Sequence, residues 1–537
     1  MTASSANKNI ARAAGTVMFA IVLGQVAGLA RSIIVAHIFG ASPELSAFYY
    51  GNRVSETLFL LVAGGALGSA FIPTFTGFLA KGDISSAWSL AASLARLVAL
   101  TLSLLAVIAA FFAPQVVRYA LAPGFASDPH LFPLTVNLLR IQLVSAVLFG
   151  LGGLIVGILN AHQVFLIPAL TPAMYQLGII FGAVFLSPTM GVYGLAWGVV
   201  IGAGFYLILQ IPSLIKVIPS LAPRYLPRIQ GIWGGLRGGF GLRNANTRHV
   251  LLLMGPRLLG VAVVQINFWV NGYLASFMGE ESMAGLTYGF SLMLMAQAAI
   301  AQSVAIAAMP TFSAQHALGQ RDEMRNSLAA SLRGVILLAL PAALGLILLR
   351  EPLVAALYQR GEFTARSTEL VAWSLLWYAA GLVGHSIMEV LTRAFYAQHD
   401  TKTPVLIGTI AMGLNIVFSI TFSKFFEQIG WFPLGGLALA NSLATALEAT
   451  ALFIVMRKRL GGIEGKWLAD GTGRAVAAAL GMGIALGLWI RAAGNLSHWL
   501  IALGGVAAGG IVYGIILLIL RVSEIQSLVR LVMRKSR

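Results

Sequence analysis

The sequence predicts an all-α polytopic membrane protein: about fourteen transmembrane helices, arranged as two six-helix repeats plus two C-terminal helices. Three observations lead there. Of 537 residues 58% are hydrophobic and only 10% charged, with a mean hydropathy of +0.87, against about 25% charged in a soluble domain. Apolar stretches near the length of a bilayer crossing recur along the whole chain. The chain also repeats itself at a nearly fixed offset.

The expected spans lie at 16–40, 45–79, 87–113, 132–159, 164–186, 190–216, 249–277, 283–313, 327–349, 366–397, 403–422, 431–456, 470–491 and 497–521. A polar, basic segment precedes the first, with no small-residue cleavage site after it, so that span reads as an uncleaved anchor. Lys and Arg concentrate in alternate loops. Lys216, Arg224, Arg228, Arg237, Arg243 and Arg248 mark 216–248 as a basic linker without an acid. The positive-inside rule then places both termini in the cytoplasm. A topological role also accounts for the net charge of +17 without nucleic acid.

The repeat is exact in places. SLAASL at 89–94 recurs at 327–332, IPTF at 72–75 matches MPTF at 309–312, and Tyr50-Gly51 matches Tyr288-Gly289. NAHQVFLIPAL at 160–170 aligns with YAQHDTKTPVL at 396–406. The expected organisation is an N-terminal six-helix lobe at 1–215, the linker at 216–248, a C-terminal six-helix lobe at 249–456, and two extra helices with a basic tail at 457–537. Each lobe has an even number of helices, so both enter from the same side. Parallel repeats of this kind enclose a central cleft and serve alternating access.

Charges inside apolar spans mark pathways or pairs, because hydrocarbon does not solvate them. Arg31 has two readings: it pairs with an acid such as Glu56 and fixes packing, or it faces the cleft and attracts an anionic group, above all a phosphate. The duplicate helix keeps the pattern but lacks this charge. Arg53 has Ser291 at its duplicate position and Glu56 three residues on, where an intrahelical pair can form. Gln25, with its counterpart Gln265, and Asn52 are candidate polar lining. Gly24 and Gly28, like Gly64 and Gly68, have the spacing for close helix contact. Glu389 stands four residues before Arg393; it is an ordinary ion pair or a carboxylate that titrates during transport. Glu448 and His385 are ion-coupling candidates of the same standing, and His37 reads as a packed or interfacial residue rather than a proton relay.

No Walker loop, no cluster with metal-ligand spacing and no loop large enough for a catalytic domain appears. Neither an enzyme nor a cofactor is expected. The chain has no cysteine, which excludes disulfides.

GLARSIIVAHIFGAS, SAFYYGNRV and GGALGSAFIPTF, with LAPGF at 121–125, MGPRLLGVAVVQIN at 254–267 and GLVGHSIMEVLTRAFYAQHDTKTPV at 381–405, resemble the MurJ (MviN) family of the MOP superfamily over nearly the whole chain. The resemblance implies a bacterial inner-membrane flippase for lipid II, the undecaprenyl-pyrophosphate-linked peptidoglycan precursor. It implies a cationic cavity for the pyrophosphate, with Arg31 at one of the family's arginine positions, and a C-terminal helix pair forming a groove for the polyprenyl tail. The implied partners are the lipid-linked substrate, membrane lipids and cell-wall synthesis proteins. The chain departs from the family pattern at Gln25, Phe59 and Ser291, where arginines are usual, and at Ser46 and Gly64, where acids are usual. The family's sodium site is not carried over, since the seventh helix has no acid, although Asn415 and Asn441 sit in the eleventh and twelfth. The departures keep other readings open: a MOP-type exporter of another polyprenyl-linked glycan or an amphipathic cation, or a non-transporting cell-wall scaffold.

Overall fold

The computed structural model describes residues 3–61, 71–218, 245–524 and 526, with the side chains of 3–19, 21 and part of 245–259 not described. Gly64 and Gly68 and most of the basic linker lie outside the described residues. Those described form helices and connecting turns without a strand, in two compact units, Met1–Glu281 and Ser282–Arg537.

In the first unit α1 (Ala3–Phe39) ends at Gly40, whose φ of +64° suits a residue without Cβ. Helix α2 (Pro43–Phe59) begins under a Ser42 cap, the hydroxyl accepting from the Leu45 amide at 3.1 Å, with proline in the first turn where no N–H is needed. Then come α3 (Ile72–Ala80), α4 (Ile84–Phe111) capped by Asp83, α5 (Leu131–Ala161), α6 (Leu166–Phe181), α7 (Val192–Ile208) and α8 (Ala245–Ala275). Helix α5 is the hub, packed against α2, α4 and α7. Helices α6 and α7 meet through glycines: a Cβ at Gly178 would stand 2.1 Å from the Gly202 Cα, and one at Gly182 2.5 Å from the Gly198 Cα. By contacts α8, the seventh expected span, groups with this first unit.

The second unit holds α9 (Ser282–Gln297), α10 (Ser303–Ala317), α11 (Arg321–Leu348), α12 (Ala365–Ala380), α13 (Leu382–Ala397), α14 (Lys402–Gln428), α15 (Leu434–Arg459), α16 (Gly465–Ala492) and α17 (His498–Ile519). The tenth expected span is the pair α12 and α13, bent by 48°. At the bend, Gly381 lies so close to α15 that a Cβ would stand 2.4 Å from the Ser442 Oγ.

Eleven helices are long and apolar enough to cross a membrane, or twelve with the bent pair, among the described residues. The expected count of fourteen is therefore not reproduced. The second and seventh expected spans account for the difference, and both include residues or side chains outside those described. The outer faces of the helices are apolar, with Leu104, Val107, Phe111, Leu480, Ile484 and Leu488 all more than half exposed. Such continuous apolar surface needs lipid, not water.

Repeat-related positions share local geometry. Gly82 (φ +72°) matches Gly319 (φ +69°), and Gln163 (φ +62°) matches His399 (φ +57°), a conformation rare for residues with a side chain. Tyr50 meets Phe125 edge-on at 5.4 Å, and Tyr288 meets Phe363 at 5.8 Å. In both units a glycine lets the backbone approach closely: a Cβ at Gly51 would stand 2.9 Å from the Leu139 nitrogen, and one at Gly289 3.0 Å from the Leu375 nitrogen.

The HDTKT turn that aligns with the repeat is a fastener. Asp400 accepts from the Thr403 amide at 3.0 Å and its hydroxyl at 2.6 Å, and pairs with Arg459 at the end of α15. Partial burial pulls the Asp400 carboxyl upward, but the Thr403 bonds and Arg459 outweigh it and hold the group at about 2.

Gly51→Ala should lower stability by about 2 kcal/mol through overpacking against α5, read as an earlier thermal unfolding transition in detergent. Because the Asp400 carboxyl is depressed from 3.8 to about 2, its contribution is complete above about pH 4 and fades as pH falls towards 2. Asp400→Asn should therefore be less stable than the parent at pH 7, and the gap should narrow across that acidic window.

Candidate substrate site

Helix α2 is pinned on one face and charged on another. Ser55 donates to the Gln142 carbonyl at 2.9 Å and lies 2.7 Å from the Ser145 hydroxyl, both partners being buried residues of α5. Positions 53, 56, 57 and 60 follow the helical period on a different face. Thr57 donates to the Gln265 side chain at 3.3 Å and accepts from the Trp269 indole at 2.9 Å, tying α2 to α8. These bonds fix the backbone that carries Arg53.

Arg53 and Glu56 form an ion pair at 3.0 Å, with side chains 18% and 43% exposed. The guanidinium also lies 4.9 Å from the centre of the Phe268 ring, a cation–π contact. Its Nε is buried without a partner among the described residues. The charge of Arg53 is thus largely compensated within its own helix.

Arg31 differs. Its Nη2 donates to Ser32 Oγ at 3.2 Å, and Ser32 in turn donates to the Gly28 carbonyl. Glu56 is taken by Arg53, and no carboxylate pairs with Arg31 among the described residues. The side chain is partly buried on α1, whose Gly24 and Gly28 pack on Pro172, Ala173 and Gln176 of α6. Arg31, Glu56 and Tyr49 all lie within electrostatic reach of the Tyr175 hydroxyl on α6. One uncompensated positive charge and one paired couple therefore share a neighbourhood.

The polar-lining candidates are less well placed. Gln25 is exposed on α1, six residues and about 120° around the helix from Arg31. Asn52 is partly buried on α2. Positions where charges were expected from the family pattern are packed instead: Phe59 meets Phe149 at 5.0 Å, which meets Tyr175 and Tyr206 at 5.0 and 5.2 Å. Ser46 is fully buried, and Ser291 donates to the Thr287 carbonyl at 2.7 Å.

In the second unit Glu389 pairs with Arg393 at 3.0 Å, as its i,i+4 spacing allows. Glu448 is buried on α15 without an ion-pair partner among the described residues, its Oε1 facing Gly408 of α14. His385 Nε2 lies 3.1 Å from the Asn441 Oδ1, and Asn415 accepts from Ser419 at 3.1 Å with its own amide nitrogen unpartnered among the described residues. No group of three or more metal-ligating side chains forms among the described residues.

Sequence reasoning missed the buried Arg333. It pairs with Glu524 at 2.6 Å, donates to the Trp467 carbonyl at 2.9 Å and stacks 4.2 Å from that ring's centre. A Cβ at Gly471 would stand 2.5 Å from its Nε, so α16 carries glycine there. The pair joins residues 191 positions apart, which no local spacing reveals. Thr57 and Trp269 were also missed, although each sits four residues after a residue singled out, Arg53 and Gln265.

A family model described as Lipid II flippase MurJ matches residues 35–504. The lipid II flippase MurJ of Burkholderia cenocepacia is 33% identical over 453 residues, 84% of each chain. A probable lipid II flippase MurJ of Vibrio cholerae is 30% identical over 440 residues, 80% of each. Among solved structures, a lipid II flippase MurJ in an inward closed conformation shares the fold with a TM-score of 0.75 at 24% identity, over 93% of this chain and 97% of that one. An inward-facing multidrug resistance MATE family transporter of the MOP superfamily gives 0.64 at 16%, over 82% and 94%. With the family model covering most of its length, the chain belongs to the MurJ lipid II flippase family.

Proposed function

We propose that this protein flips lipid II from the inner to the outer leaflet of the bacterial inner membrane, with both termini cytoplasmic. The lobes at 1–215 and 249–456 alternate access, and the helices after 457 serve the polyprenyl tail. The observation that carries the reading is Arg31, a partly buried guanidinium with no carboxylate to neutralise it among the described residues. A pyrophosphate supplies the missing counter-charge, and a planar guanidinium grips it through two parallel hydrogen bonds. Arg53, already paired with Glu56, adds a weaker anion contact, and Gln25 and Asn52 offer neutral donors to the head group.

For ion coupling Glu448 is the better candidate than Glu389. Glu389 is committed to Arg393, whereas Glu448 is buried without a counter-charge among the described residues, the condition under which a carboxylate takes up a cation or a proton.

The test is growth of a bacterium depleted of its own lipid II flippase, with expression levels matched. The wild type should restore growth, Arg31→Ala should not, and Arg53→Ala should retain partial rescue. Full rescue by Arg31→Ala would remove Arg31 from the mechanism. Failure of a well-inserted wild type would overturn lipid II as the substrate.

A further inference from the structure

The first unit carries another arginine that the substrate site does not use. Pro133, Asn137, Arg140 and Val144 of α5 are all exposed, at the spacing of one helix face. That face opens between α4 and α7. Arg140 Nε donates to the Ala110 carbonyl of α4 at 3.0 Å, and the Asn137 amide donates to the Tyr193 hydroxyl of α7 at 3.4 Å. The exposed apolar side chains of these helices include Leu104, Val107, Phe111 and Val144, and Trp197 is exposed one turn beyond Tyr193. A surface of this composition on a membrane-spanning chain meets lipid. Arg140 has no carboxylate partner among the described residues, so on such a surface it needs another counter-charge.

Depth decides what that is. Arg140 comes nine residues after Leu131 in a helix of 31 residues, about 14 Å along an element of about 46 Å. The hydrocarbon core is about 30 Å thick, so the long side chain reaches the interface by snorkelling. There the abundant anion is phosphate. With Nε held by Ala110, the guanidinium plane is fixed and both terminal nitrogens are left to donate, the fork that matches two phosphate oxygens.

We propose that Arg140 binds the phosphate of an anionic phospholipid on the lipid-facing surface, with Trp197 beside it at the interface and the acyl chains on Val144 and the exposed face of α4. A net negative head group is favoured over a zwitterionic one because the guanidinium is uncompensated. In the orientation proposed above this lipid belongs to the outer leaflet.

Native mass spectrometry of the purified full chain in detergent, titrated with phosphatidylglycerol or phosphatidylcholine of identical acyl chains, tests the site. The wild type should retain phosphatidylglycerol about fivefold better, the effect of one basic group near an anionic surface. Arg140→Gln should erase the preference and Arg140→Lys should keep part of it. An unchanged preference in Arg140→Gln overturns the site. Equal retention of both lipids by the wild type overturns it too, and does so even where Arg140→Gln fails to fold. Detergent micelles are blind to orientation and to flipping, so failure here leaves the proposed function standing, and the reverse also holds.

Discussion

Hydrocarbon does not solvate charge, and placing an ionised side chain at bilayer depth costs about 3 kcal/mol or more unless a partner or water is found. The arrangement of ionisable groups follows from that cost. Arg53 is matched by Glu56, Arg393 by Glu389, Arg333 by Glu524 and Arg459 by Asp400. Each pair neutralises a cation with an anion, so that neither is left bare in an apolar setting. Among the described residues that lack an ion-pair partner, three bear on function: Arg31 on α1, Glu448 on α15 and Arg140 on the outer face of α5. An unpaired guanidinium in the first span is the feature on which the proposed anion contact rests, and membership of a lipid II flippase family is what suggests a pyrophosphate as that anion.

Glycine and small polar residues place those charges. Gly51 lets α2 lie close on α5, Ser55 locks it there, and the face bearing Arg53 and Glu56 is thereby fixed. The same device recurs in the second unit, where Gly289 approaches Leu375, yet Ser291 stands in place of the arginine. Packing is duplicated while charge is not. The asymmetry agrees with a chain in which the repeat supplies architecture and only one copy of the helix pair supplies the cation.

Much of this was legible in the sequence, for reasons that differ by feature. Membrane helices announce themselves because every crossing must be apolar over some twenty residues, and the repeat because matched segments keep register. The pairs Arg53–Glu56 and Glu389–Arg393 follow from helical spacing alone. The bend at Gly381 was not legible, since the requirement for glycine comes from Ser442 on another helix. Nor was Arg333–Glu524, which depends on tertiary approach. The sequence left Arg31 open between a pair and a free charge; among the described residues Glu56 pairs with Arg53, three positions away, and Arg31 has no carboxylate partner.

The central claim is that, of the two arginines proposed to contact substrate, Arg31 has no carboxylate partner among the described residues while Arg53 is paired with Glu56. The most direct measurement is the affinity of purified wild type, Arg31→Gln and Arg53→Gln for lipid II across a range of ionic strength. The account predicts a loss of about tenfold for Arg31→Gln, the worth of a charge-assisted hydrogen bond, with a flatter salt dependence, and a smaller loss for Arg53→Gln. Equal losses in the two variants, or an Arg31→Gln protein that binds as well as the wild type, would contradict it.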